Sequence, residues 1–311
     1  MWRVATALVI GALTVNACNA ERETSSAATT VAVNVTTTSP STTDLATLDD
    51  AVAGRPFKVF VPATYDGAVA VPLVILLHGF GITGEMQDDF FHIQRLAESK
   101  GFLMVSPDGT RNADGATFWN ATDACCGFGA TVDDSAYLAA VIQQVQSDYA
   151  VDAHRVVLVG FSNGGFMSYR MACDHADLIA GIVSISAATF HDPARCAPSS
   201  PVNVVEIHGT NDETIAFEGG TFEGTAHPSA EQTVADWAAY NGCDNSSQIT
   251  TATRDLARTL MGSESSVTRY DGCPEGGAVE LWTIVGGEHV PDLSSSFSEQ
   301  VIDFLLAHPK P

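Results

Sequence analysis

The sequence predicts an α/β protein: a mostly parallel central sheet with helices on both faces. Three observations predict it. Short, almost wholly apolar runs at 71–77, 156–159, 179–184 and 202–207 have the composition of strands buried on both sides. Between them lie stretches with helical apolar spacing, such as Ala136, Leu138, Val141, Ile142 and Val145 within 132–149. The third is Val156-Val157-Leu158-Val159-Gly160-Phe161-Ser162-Asn163-Gly164-Gly165, where a valine-rich strand runs into a glycine-flanked turn and then a helix.

In chain order, residues 57–61 read as an opening strand and 71–77 as an apolar one that runs into His78-Gly79-Phe80-Gly81. A helix is expected over 87–100, then a short strand at 102–105 ending in Ser106-Pro107-Asp108-Gly109. A long loop with Trp119, Asn120, Cys125 and Cys126 precedes the helix at 132–149, whose first turn suits Asp133 and Asp134. After the strand at 156–159, a helix is expected over 166–173. Further strands follow at 179–184, 202–207, 267–270 and 281–285, and helices at 230–240 and 297–307. Strands alternating with helices give a parallel sheet, and ligands of such sheets bind beyond the carboxyl ends of the strands.

That rule directs attention to the residues just past each strand. Gly160-Phe161-Ser162-Asn163-Gly164 matches G-x-S-x-G, which between a buried strand and a helix is the nucleophile elbow of an α/β-hydrolase fold. A serine nucleophile needs a histidine to take its proton and a carboxylate to orient that histidine, in chain order serine, acid, histidine. Asp212 follows the strand at 202–207, and His289 follows the strand at 281–285, each in a polar or Gly-rich loop. Glu213, Glu288 and His208 are rivals by proximity. His208 precedes Asp212 at the strand end, where it is expected to form a wall or a hydrogen bond. For the developing oxyanion, the backbone N–H groups of Asn163 and Phe80 are the expected donors. His78 is expected to be structural.

The formal charge of −23, from 37 acidic and 14 basic residues, argues against nucleic acid and anionic membrane surfaces as partners. Residues 1–20 have a charged start and a short apolar run, the pattern of a secretion signal. Ala17-Cys18 resembles a lipobox, making Cys18 a lipidation candidate that would anchor the chain to a membrane; ordinary cleavage after Ala17 or Ala20 is the alternative. Residues 21–50, rich in Ser, Thr and Ala, read as a flexible linker, leaving 51–311 as the catalytic domain. Outside Cys18, six cysteines suggest disulfides in an exported protein. Cys243 and Cys273 share similar turn settings and are the first pairing expected, Cys173 and Cys196 the second, while Cys125 and Cys126 are left open. No C-x-x-C or close Cys/His cluster suggests a metal, and no cofactor is expected.

In combination, Leu76-Leu77-His78-Gly79, Ser106-Pro107-Asp108-Gly109-Thr110, Trp119-Asn120 with Cys125-Cys126-Gly127, His208-Gly209-Thr210-Asn211-Asp212 and Gly286-Gly287-Glu288-His289 are specific. From about residue 55 onward the chain resembles the secreted carbohydrate esterases of the first class, with their relatives named polyhydroxybutyrate depolymerases and feruloyl esterases. The resemblance implies a triad of Ser162, Asp212 and His289, favouring Asp212 over Glu213. It departs at His289-Val290-Pro291-Asp292, where the family's His-x-Trp-Pro tryptophan is missing. Trp119 then becomes the leading aromatic candidate for lining the pocket, with His208 a second substrate-binding candidate. The function expected is a secreted serine esterase acting on feruloyl or acetyl esters of polysaccharide, or on a hydroxyalkanoate polyester. A prolyl-oligopeptidase-like peptidase and a non-catalytic binding module are the alternatives.

Overall fold

The computed structural model describes residue 52 and residues 54–311 apart from 128 and 245. The expected signal at 1–20, with Cys18, and the linker at 21–50 lie outside the described residues. Nine strands form one sheet, in the order β1-β3-β2-β6-β7-β8-β13-β12-β11. They are β1 (Val59–Phe60), β2 (Val71–Leu77), β3 (Leu103–Val105), β6 (Val151–Phe161), β7 (Gly181–Ile185), β8 (Asn203–Gly209), β11 (Ser247–Arg254), β12 (Ser265–Tyr270) and β13 (Val279–Ile284). From β3 across to β13 the neighbours are parallel; β1 at one edge, and β12 and β11 at the other, run antiparallel. Two small hairpins, β4 (Thr110–Arg111) with β5 (Thr117–Phe118) and β9 (Gly220–Phe222) with β10 (Thr225–His227), stand apart from it.

Side chains alternate across a strand, so one apolar run feeds two cores. In β2, Leu73, Ile75 and Leu77 enter one, and Val74 and Leu76 enter the other. The first is closed by α3 (Asp134–Asp148), α4 (Asn163–Asp174) and α5 (Ala230–Asn241), through residues such as Leu138, Phe166 and Trp237. The second is closed by α1 (Gly84–Phe91), α2 (Ile93–Lys100) and α6 (Phe297–Ala307).

The expected helix over 87–100 is two helices. The chain breaks at His92, which adopts a left-handed backbone (φ 56°). The break lets Phe91 and Ile93, which one straight helix would turn to different sides, both bury in the second core. Asp88 stabilises the break by accepting the Gln94 N–H at 3.0 Å. Helix α3 begins where acidic residues were expected: Asp133 caps it, accepting the Ala136 N–H at 3.1 Å. Strand β11 was not expected, because its mostly exposed, Thr-rich sequence carries no apolar alternation.

The structure bonds Cys243 to Cys273, Cys173 to Cys196, and Cys125 to its neighbour Cys126. No helix among the described residues is long and apolar enough to cross a membrane. The Cys243–Cys273 bond spans 30 residues and ties the end of α5 to the end of β12. Replacing both cysteines with alanine is expected to lower stability by about 3 to 4 kcal/mol, read from the urea unfolding midpoint.

Candidate active site

Strand order reverses between β2 and β6, since the chain builds β3 on one side of β2 and then returns to the other. A crevice opens at such a point beyond the strand ends. Into it projects Ser162, on a turn with φ 51° and ψ −119°, a conformation that costs a non-glycine residue free energy. The turn is possible because glycines at two positions let α4 approach β6 and β2 more closely than side chains would allow. A Cβ on Gly160 would strike the carbonyl of Gly164, and one on Gly164 would strike the carbonyl of Leu77. The Ser162 N–H donates to the Ile185 carbonyl at 2.8 Å, locking the strained residue to β7.

Ser162 Oγ lies 3.0 Å from His289 Nε2, and His289 Nδ1 lies 2.8 Å from Asp212 Oδ2. The parallel pairing of β8 with β13 brings the two loops together, and they are laced by Asn211 N–H to the Gly287 carbonyl at 2.8 Å. Asp212 Oδ1 accepts the N–H groups of Thr214 and Ile215, each at 2.8 Å. Burial works against the Asp212 charge, but bonds from His208 and His289 outweigh it and hold this carboxyl well below the usual range. The rivals face elsewhere: Glu213 and Glu288 are exposed.

His208 does not line the crevice. It is 1 % exposed, with Nδ1 at 3.0 Å from Glu206 and Nε2 at 2.8 Å from the Ile215 carbonyl. Burial disfavours its charge, yet Asp212 and Glu206 together push its pKa up to about 10. Of the roles expected for His208, the structure shows the hydrogen-bonding one, and the substrate-binding role is corrected. Trp119 is corrected likewise. It is wholly buried, donates Nε1–H to the His78 carbonyl at 3.1 Å, and packs on the His78 ring. Its backbone is clamped by the Asn163 side chain, whose Oδ1 accepts the Trp119 N–H at 2.7 Å and whose Nδ2 donates to the Trp119 carbonyl at 2.9 Å. His78 is buried and structural: Nε2 accepts the Gly109 N–H at 2.9 Å, and burial lowers its pKa.

A cavity of about 650 Å³ lies over Ser162 and His289. Its wall is aromatic and aliphatic: Phe80, Phe90, Phe161, Phe222, Ile215 and Val290, with the Cys125–Cys126 pair. Phe90 and Phe222 had no motif to mark them. Phe90 is half of a Phe-Phe pair that reads as core, and Phe222 is delivered by the β9–β10 hairpin. That hairpin turns through Glu223 (φ 48°) and Gly224 (φ 82°), and its Phe-Glu-Gly-Thr sequence was the one available signal. The Asn163 N–H stands at the start of α4, where helix amides lack intrahelical partners, and Phe80 follows β2 at the cavity wall.

The profile of the alpha/beta hydrolase fold matches residues 72–208. The chain has the α/β-hydrolase fold. This hydrolase-fold chain is 28% identical over 247 residues to feruloyl esterase B of Piromyces equi, covering 75% of this chain and 42% of that protein. The chain thus spans less than half the length of that relative. It is 25% identical over 230 residues to probable feruloyl esterase C of Aspergillus terreus, covering 71% of this chain and 72% of that one. Among solved structures, acetyl xylan esterase from Aspergillus awamori superposes with a TM-score of 0.55 at 16% identity, over 80% of this chain and 93% of that one, a likeness of fold.

Asn163→Ala removes both bonds to the Trp119 backbone and leaves two buried polar groups without them. The expected loss is about 2 to 4 kcal/mol, read as a lower Tm with the secondary structure unchanged by circular dichroism.

Proposed function

We propose that this protein is a serine carboxylesterase that releases feruloyl or acetyl groups from polysaccharide through an acyl-enzyme. The observation that carries the proposal is His289, bridging Ser162 at 3.0 Å and Asp212 at 2.8 Å. Ser162 Oγ attacks the ester carbonyl while its proton passes to His289 Nε2. Asp212 accepts the bond from Nδ1–H, fixes the tautomer and stabilises the imidazolium that forms. The negative carbonyl oxygen is held by the backbone N–H groups of Asn163 and Phe80. The bond between the acyl carbon and the sugar oxygen breaks, and that leaving oxygen takes the proton from His289. Water then gives a proton to His289 and attacks the acyl-serine; the bond to Ser162 Oγ breaks, His289 returns the proton to Oγ, and the acid is released.

The acyl group enters the cavity under Phe80, Phe90, Phe161 and Phe222. A wall of this kind suits a planar aromatic acid better than a charged group. The names of the two curated relatives favour the same class. The formal charge of −23 favours an uncharged ester. Three disulfides among the described residues and the signal-like residues 1–20 support an extracellular location, reached either through a lipid anchor at Cys18 or by ordinary cleavage after Ala17 or Ala20.

The test compares kcat/KM on methyl ferulate and on a soluble 3-hydroxybutyrate oligomer, with Ser162→Ala as the blank. Methyl ferulate is expected to be preferred, and Ser162→Ala to lose at least about 10⁴-fold. Preference for the oligomer would make the protein a polyester hydrolase. Rates no better than the blank on both substrates would overturn the esterase reading. Phe222→Ala is expected to raise KM for methyl ferulate about tenfold, the loss of roughly 1.4 kcal/mol of aromatic contact, and to leave methyl acetate within about twofold.

A further inference from the structure

Behind the Ser162–His289–Asp212 chain, the end of β8 carries a second pair of ionisable groups that the proposed reaction does not use. Both ring nitrogens of His208 face acceptors. Nε2 lies 2.8 Å from the Ile215 carbonyl oxygen and 3.3 Å from Asp212 Oδ2. A carbonyl oxygen only accepts, so Nε2 carries a proton. Nδ1 lies 3.0 Å from Glu206 Oε1. That carboxylate also accepts the Ala187 N–H at 3.1 Å and the Tyr169 hydroxyl at 2.8 Å. With the Ala187 N–H on one oxygen and the Tyr169 hydroxyl on the other, both oxygens already accept, and the hydrogen between Nδ1 and Oε1 is assigned to the imidazole.

The other neighbours supply no competing charge. Phe217 packs edge-on against the His208 ring, with centroids 5.7 Å apart. Tyr169 is wholly buried, and burial together with Glu206 keeps its phenol neutral. Burial lowers the pKa of His227 on β10. On the far side, Asp212 Oδ2 is shared between His208 and His289.

We propose that His208 is a positioning residue held as an imidazolium between Glu206 and Asp212, and that it fixes the Asp212 carboxylate against His289. Asp212 Oδ2 is held from two sides, by His208 Nε2 at 3.3 Å and by His289 Nδ1 at 2.8 Å, so the carboxylate that orients His289 cannot turn without losing its contact to His208. The kinetic consequence rests on the esterase reading, whereas the charge of His208 does not.

Two measurements test this. In the full chain labelled with ¹⁵N-histidine, NMR is expected to show both ring N–H protons on His208 at pH 8.5, assigned through contacts to Phe217. A single ring proton on His208 at that pH would overturn the proposal, whatever the protein hydrolyses. His208→Gln keeps a hydrogen-bonding side chain but removes the charge. It is expected to lower kcat on methyl ferulate about tenfold with KM within about twofold, because Asp212 and His289 are held less firmly while the cavity wall is untouched. An unchanged kcat, or a KM that rises as far as kcat falls, would also overturn the proposal. If the wild type hydrolyses no ester, the esterase reading fails and the NMR result alone decides the charge of His208.

Discussion

Everything at the carboxyl edge of the sheet depends on keeping one buried carboxylate, Asp212, ionised. It is 5 % exposed and is met by the N–H groups of Thr214 and Ile215 on one oxygen and by His208 and His289 on the other. A buried charge is tolerated only when its lone pairs are filled, so each of these donors is under the same constraint. The loop after β8 must fold back for its own amides to reach Asp212, and the loop after β13 must deliver His289 to the other oxygen. Satisfying the carboxylate and aiming His289 at Ser162 are thus one structural requirement.

The elbow adds a second constraint, steric instead of electrostatic. Ser162 holds a backbone conformation with positive φ because β6, β2 and α4 approach closely at Gly160 and Gly164. The strain is offset by the bond from its N–H to Ile185 and by two well-packed cores on either side of the sheet. The long loop that carries Trp119 is bound into the same place. The Asn163 side chain grips the Trp119 backbone from the first turn of α4, and Trp119 in turn donates to His78. Asp134 anchors the very next residue, accepting the Asn120 N–H at 2.7 Å while paired with Arg55. A loop of that length keeps one path because its polar groups are matched to rigid elements.

The molecule separates its charge from its binding surface. Its excess of acidic residues does not extend to the cavity wall over Ser162, which is mainly apolar; Glu223 is the one acidic side chain there.

Local chemistry determined much of this from the sequence alone. The doubly buried strands, the G-x-S-x-G turn and the order of Ser162, Asp212 and His289 were legible, because strand burial and a strained serine turn demand particular residues at adjacent positions. The kink at His92 was not, since it depends on where Phe91 and Ile93 find space in a core assembled from distant elements. Nor was the exchange of Trp119 for Phe90 and Phe222 in the cavity wall. An aromatic in a loop packs inward or outward according to what the rest of the chain puts against it, and here Asn163 and His78 draw Trp119 in. His208 stood next to Asp212 in the sequence, but its second partner, Glu206, shares its face of β8 because strand side chains alternate. Only the tertiary fold, by packing Tyr169 and Phe217 against them, turned three ordinary polar residues into a buried, mutually bonded row.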